Sequence, residues 1–278
     1  MSELENAVEC AGIIDSHAHY FDRRFDSETD GADAVLTRDV FGRGVRAVVN
    51  IGTRAATNAL CVAEAKKYPN MYAAVGIHPE DAELSGIDID SELCELEGWI
   101  RDPNKRKENK IVALGEMGLD YHMETFDREL QVRCFDAQMS LAEKYGLPVI
   151  IHDREAHGDC FETVLRYPCV TGVFHSYSGS SEMARELVKR GWYISFSGVL
   201  TFKNARRVRE VAETVPSDRI LIETDAPYLA PVPYRGRINH SGLMGYTAQT
   251  LAEIRGISTS EAIELTAANA IRLFGIDA

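Results

Sequence analysis

Six side chains of this 278-residue chain carry the strongest chemical signal: His17, His19, Glu116, His152, His175 and Asp225. His17 and His19 alternate within Asp15-Ser-His-Ala-His, and alternate residues of an extended chain share a face, so both imidazoles can reach one ion. The other four follow short apolar runs. Glu116 comes after Ile111 to Gly115, His152 after Pro-Val-Ile-Ile, His175 after Gly-Val-Phe, and Asp225 after Leu-Ile-Glu-Thr. Taken singly, each has a plainer role: a histidine after a strand is more often a hydrogen-bonded loop residue, Glu116 could cap a helix, and Asp225 could begin a turn at Ala226-Pro227. Packing gives no reason for all six to recur at five strand ends.

Four imidazoles with two carboxylates suit zinc, manganese, nickel or iron better than the all-oxygen cage magnesium prefers. Six ligands are too many for one catalytic ion that must leave room for water. They divide between two divalent ions if one carboxylate bridges, and Glu116, on a central strand, is the natural bridge. The expected cofactor is therefore a pair of divalent ions (Zn, Mn, Ni or Mg). Two ions about 3.5–4 Å apart lower the pKa of a shared water and neutralise charge on a phosphoryl or carbonyl group under attack. Asp225 and Glu116 are the expected catalytic residues, with Asp225 orienting that water and accepting its proton.

Supporting residues follow from position. Asp15 and Glu223 lie two residues from ligands, suited to accept histidine N–H groups or to cap a strand or turn. His78 and Arg154 could meet a substrate phosphate, which a guanidinium matches bidentately, or could serve packing and ion pairing. Tyr121 could stack on a base or sit half-buried in the core.

Something must bring these residues together. Eight short apolar runs recur: Gly12 to Asp15, Val45 to Asn50, Tyr72 to Gly76, Ile111 to Gly115, Pro148 to Ile151, Gly172 to Phe174, Tyr193 to Ser195 and Ile220 to Ile222. Continuous apolar runs suit strands covered on both faces of a parallel sheet. Helical patterns lie between them. Leu130, Cys134, Ala137, Leu141 and Tyr145 keep helical spacing until Gly146 and Pro148 stop them. Glu182 to Arg190 is a short helix ended by Gly191, and Ser258 with Glu261 forms a capping box that opens a helix through Phe274. Eight β and α units in alternation predict an α/β fold, a single (β/α)8 barrel of the TIM type, somewhat distorted, spanning residues 1–278 as one domain. The six ligands then converge at the C-terminal face. The dinucleotide fingerprint Gly-x-Gly-x-x-Gly is absent.

With 45% hydrophobic and 26% charged residues, the composition is that of a chain able to bury a large core. The net charge of −13 disfavours a nonspecific nucleic-acid coat but leaves metal-centred phosphate chemistry open. Residues 1–10 carry acids and no apolar stretch, and no membrane span is expected. Six scattered cysteines read as reduced, so the cytoplasm is the expected compartment. The basic run Arg101 to Lys110 reads as a solvated loop on the face opposite the site.

The same residues resemble the TatD family of metal-dependent deoxyribonucleases, in the amidohydrolase superfamily. The resemblance spans nearly the whole chain. It includes Asp15-Ser-His-Ala-His19, Gly76-Ile-His-Pro79, Gly115-Glu-Met-Gly-Leu-Asp-Tyr121, Gln131 with Phe135, His152-Asp-Arg154, His175-Ser-Tyr-Ser-Gly179, Glu223-Thr-Asp-Ala-Pro-Tyr-Leu229, Arg235-Gly236 and Asn269-Ala-Ile-Arg-Leu-Phe274. It implies one ion on His17, His19, Glu116 and Asp225, the other on Glu116, His152 and His175, and cleavage of DNA phosphodiesters, often from a 3′ end. One departure is visible: the family often reads Arg-Gly-Lys-x-Asn-x-Pro where this chain reads Arg235-Gly-Arg-Ile-Asn-His-Ser241.

The expected substrate is thus DNA or another phosphodiester, with no membrane and no obligate protein partner. Arg154, Lys203, Arg206, Arg207, Arg235 and Arg237, on or near loops after strands five, seven and eight, would suit a polyanion. The alternative is hydrolysis of an acyl or amide bond, such as a D-aminoacyl-tRNA ester. A barrel kept only as a scaffold should lack a ligand, and none is missing.

Overall fold

The computed structural model describes residues 8–277, so most of the acidic segment 1–10 lies outside the described residues. Eight strands form one sheet, each parallel to the next: β1 (Ile14–Ala18), β2 (Ala47–Ile51), β3 (Met71–Val75), β4 (Ile111–Asp120), β5 (Val149–Arg154), β6 (Gly172–Phe174), β7 (Tyr193–Phe196) and β8 (Ile220–Ile222). β1 meets β8 through a single bridge, Ala18 to Ala226, flanked by the bonds Asp225 N–H to His17 C=O (2.9 Å) and His19 N–H to Ala226 C=O (2.7 Å). The sheet is a nearly closed (β/α)8 barrel. Val, Ile, Ala and Leu dominate the strands because both faces are covered. Val48, Leu114, Ile151 and Phe174 belong to a larger buried cluster, and Ile14, Val49, Ile150 and Leu221 join Ala267, Ala270 and Phe274 of the last helix in a smaller one.

Three strands run three or more residues past the ends of their apolar runs. β1 starts later and takes His17 inside it, β4 runs on to Asp120, and β5 runs on to Arg154. Glu116 and His152 therefore lie within strands rather than after them. Main-chain pairing does not depend on side-chain polarity, and Met117, Gly118, Leu119 and Asp120 pair with Ile151, His152, Asp153 and Arg154. The β4 backbone bends at Gly115 and Gly118, both at φ 145°, and a Cβ on Gly118 would fall 2.0 Å from the His152 carbonyl oxygen. Only glycine fits there.

The helices follow the forecast closely. Arg128–Tyr145 ends on left-handed Gly146. Ser181–Lys189 is capped by the Ser180 hydroxyl, and Thr259–Phe274 opens on the reciprocal Ser258–Glu261 box. The basic run 101–110 departs from it. Pro103–Glu108 is a short helix capped by Asp102, Arg106 donates to the Tyr145 carbonyl, and Lys110 donates to three carbonyls around Tyr68. Also unforeseen were the turns of helix from Arg24 to Arg43 between β1 and β2. All six cysteines are free thiols, and no described helix is long and apolar enough to cross a membrane.

Candidate metal centre

β1, β4 and the turn after β8 place four donor atoms around one point. The Nε2 atoms of His17 and His19 are 3.0 Å apart. Glu116 Oε2 lies 3.3 and 3.5 Å from them, and Asp225 Oδ1 lies 3.6 and 3.4 Å from them. Donors about 2.0–2.1 Å from an ion in a tetrahedron lie about 3.3 Å from one another. The two imidazoles have about that spacing from each other and from each carboxylate. Asp225 turns its carboxylate inward from φ 58°, a left-handed conformation that Asp tolerates better than most residues.

The other oxygen of Glu116 faces a second set. Glu116 Oε1 lies 2.7 Å from His152 Nδ1 and 2.8 Å from His175 Nε2, and those nitrogens are 3.2 Å apart. A single buried carboxylate therefore addresses two groups of donors. The donor set would suit divalent metal ions, with Glu116 facing both groups, and all six of the ligand-type side chains singled out in the sequence are brought together.

Outer partners fix which nitrogen each imidazole turns inward. His19 Nδ1 meets the Ile51 carbonyl at 2.8 Å, His175 Nδ1 meets Glu223 Oε1 at 3.2 Å, and His152 Nε2 meets Asp120 Oδ2 at 2.9 Å. His17 stacks on His175, centroids 4.0 Å apart, with its own Nδ1 buried against no protein acceptor. Glu223 thus sits where expected. Asp15 does not serve an imidazole, because its carboxylate accepts the His17 main-chain N–H (3.1 Å) and donors of Thr224 and Ser241 instead. Sequence reasoning missed Asp120, although it lies four residues beyond Glu116, and strand alternation puts both on one face.

A cavity of about 660 Å³ opens over the donors. His78 lies in its wall, its Nε2 3.6 Å from Glu116 Oε1, and Arg154 lines it half exposed, 4.0 Å from Asp120. Tyr121 is not part of the lining: its ring stacks on Phe126 (4.6 Å) and its hydroxyl donates to Asp159 (2.6 Å), so both its apolar and its polar ends are already partnered. Lys203, Arg206, Arg207, Arg235 and Arg237 also lie outside it, with Arg206 paired to Glu210 and Arg235 over the Phe202 ring. Seven carboxylates line the cavity (Asp22, Glu80, Asp81, Glu116, Asp120, Asp153 and Asp225) against one guanidinium. Positive charge for an anionic substrate must come chiefly from bound cations.

Burial opposes ionisation of Glu116, yet His175, His17, His78 and the hydrogen bond from His152 hold its carboxyl well below the usual range. Burial and neighbouring His152 push His78 down to about 3, so it is neutral. His152 goes the other way: against burial, bonds to Asp120 and Glu116 raise it to about 9. His175 is also raised, burial being outweighed by Glu116 and Glu223. His152 therefore carries a proton at pH 7.5 in the metal-free protein, whereas a ligating nitrogen must be bare. Loading zinc or manganese at pH 7.5 is expected to release about one proton or more per protein, measured as acidification of a weakly buffered solution. Loading with no proton release would contradict this donor set.

The model of the family "TatD related DNase" matches residues 14–275. The uncharacterized metal-dependent hydrolase YabD of Bacillus subtilis is 37% identical over 268 residues, covering 95% of this chain and 100% of that protein. YcfH of Escherichia coli, another uncharacterized metal-dependent hydrolase, is 34% identical over 96% of this chain and 97% of its own length. The crystal structure of YjjV, a TatD homolog from Escherichia coli, superposes with a TM-score of 0.86 at 30% identity, covering 96% of this chain and 100% of that one. With its donors gathered at the barrel mouth and a family match running from β1 to the last helix, the chain belongs to the TatD family and is a metal-dependent hydrolase.

Proposed function

We propose that the chain is a deoxyribonuclease that removes nucleotides from a free DNA end, with one ion on His17, His19, Glu116 and Asp225 and the other on Glu116, His152 and His175. The observation that carries this is the divided carboxylate of Glu116, whose two oxygens face separate donor sets beneath an open cavity. When bound, the ion pair supplies an acidified water and neutralises charge on the phosphoryl oxygens. Asp225 turns one oxygen to the imidazoles of β1, and its carboxylate accepts the proton that the attacking water loses. His78 accepts the Glu80 N–H at Nδ1, which leaves its Nε2–H as a neutral donor for a substrate oxygen. Arg154 reaches the same oxygens from the cavity wall.

Tyr228, rather than Tyr121, is placed to stack on a base. It lines the cavity and is 44% exposed, with Arg24 over its ring at 5.2 Å and its hydroxyl donating to Asp22 at 2.8 Å, so a base would stack on the ring opposite Arg24. Base stacking on an aromatic ring is worth about 1–3 kcal/mol. Tyr228→Ala is therefore expected to raise KM about tenfold for an oligonucleotide ending in a normal base, with kcat little changed. An oligonucleotide ending in an abasic residue should show no such change, and an equal rise for both would remove the stacking role.

A second function, hydrolysis of an acyl ester such as D-aminoacyl-tRNA, draws support from Glu80, Asp81 and Asp120, which could hold the ammonium of an aminoacyl group. The deciding experiment presents the metal-loaded protein with single-stranded DNA bearing free 3′ or 5′ ends, a phosphodiester dye, and D-aminoacyl-tRNA. Cleavage of DNA with the aminoacyl ester spared is the expected result, and the converse would overturn it. Six free thiols support a reducing, cytoplasmic setting for this activity.

A further inference from the structure

His17, His19 and Asp225 come from β1 and the end of β8, the two strands joined by one bridge among the described residues. A buried carboxylate holds that seam. Asp15 Oδ1 accepts the main-chain N–H groups of His17 (3.1 Å) and Thr224 (3.0 Å), one from each side. Asp15 Oδ2 accepts the hydroxyls of Thr224 and Ser241, each at 2.7 Å. Tyr20 completes the arrangement, because its oxygen accepts the Ser241 N–H (2.9 Å) and lies 2.8 Å from Ser241 Oγ. Asp15, Tyr20, Thr224 and Ser241 are all buried, and Asn239 pins the loop by donating to the Thr224 carbonyl at 2.9 Å.

A proline at position 241 would offer neither an N–H nor a hydroxyl. In this chain the serine supplies both. Its hydroxyl fixes the direction of Asp15 Oδ2 and so keeps Oδ1 between the two main chains. Without it a buried carboxylate loses one of four donors and is held by three, which loosens the clamp on both segments. The second set, Glu116, His152 and His175, comes from β4, β5 and β6, away from this seam, and meets the first through Glu116 and the His17–His175 stack. We propose that Ser241 is a positioning residue that, through Asp15, sets the affinity of the ion held by His17, His19, Glu116 and Asp225, leaving the ion on Glu116, His152 and His175 unaffected.

The test is a competitive-chelator titration of zinc binding to wild type, Ser241→Ala, Ser241→Thr and Tyr20→Phe, repeated on a His152→Ala background that retains the first site alone. Ser241→Ala is expected to weaken one of the two binding steps about tenfold, from the loss of one hydrogen bond to a charged group. The same loss should appear in the His152→Ala background, and Ser241→Thr, which restores the hydroxyl, should recover most of it. Tyr20→Phe should weaken the same step, and it carries the test if Ser241→Ala does not fold. Unchanged affinities, or equal weakening of both steps, would overturn the proposal. Hydrolytic activity does not enter the readout, so the outcome is independent of which bond the enzyme cleaves.

Discussion

Asp225→Asn is expected to lower kcat by about three orders of magnitude while leaving the barrel folded. Asparagine has the same shape, and its amide oxygen can take the place of Oδ1, 3.4 Å from His19 Nε2 and 3.6 Å from His17 Nε2. What it cannot do is accept a proton. General-base catalysis contributes about 10²–10⁴-fold, and the lost negative charge also removes part of the field that orients the attacking water. The measurement is kcat on a phosphodiester dye, beside far-ultraviolet circular dichroism and metal content for the same preparation. A kcat within tenfold of wild type, with both ions present, would remove Asp225 from the chemistry. The main-chain bond from Asp225 N–H to His17 C=O survives the substitution, so a folding defect is not expected.

Chelation should have an effect as large and act on binding as well as turnover. Seven carboxylates and one guanidinium line the cavity, so the metal-free wall repels a phosphate. Removing the ions is expected to abolish cleavage and to raise the dissociation constant for a single-stranded oligonucleotide, and manganese or zinc should restore both. A melting-temperature rise on reloading is also expected, because a ligand present at about 1,000 times its Kd stabilises the fold by about 4 kcal/mol. Full activity after exhaustive dialysis against chelator would rule out a metal-dependent mechanism.

Much of this was legible before any coordinates, for a physical reason. Strand cores announce themselves by apolar runs, and a barrel converts positions at strand ends into one ring. His175 after Gly-Val-Phe is such a case. Legibility failed where backbone and side chain follow different rules. β4 continues five residues past its apolar run, because the ladder to β5 needs only N–H and C=O groups and the bend needs only Gly115 and Gly118. Asp120 escaped notice for that reason: it lies beyond the apolar run, yet it is a strand residue facing His152.

The aromatic assignment failed differently. Tyr121 and Tyr228 both lie a few residues past a ligand, and nothing in one sequence says which ring finds partners elsewhere; Tyr121 finds Phe126 and Asp159. Surface arginines deceive in the same way, since Arg206 is as satisfied by Glu210 as it would be by a phosphate. The substitution of serine for proline at 241 was visible, but its meaning depends on Asp15 and Tyr20, more than 200 residues away in the chain.

The placement of the seam bears on synthesis. Ligands from residues 17 and 225 must meet across it, and every intermediate strand is paired in chain order, so the first site comes together only after the last strand has been made. A chain cut short before residue 225 carries five of the six donors and lacks only Asp225, the group that completes the first set. The barrel's first and last segments must therefore both be in place before the four donors of the first set can face one another.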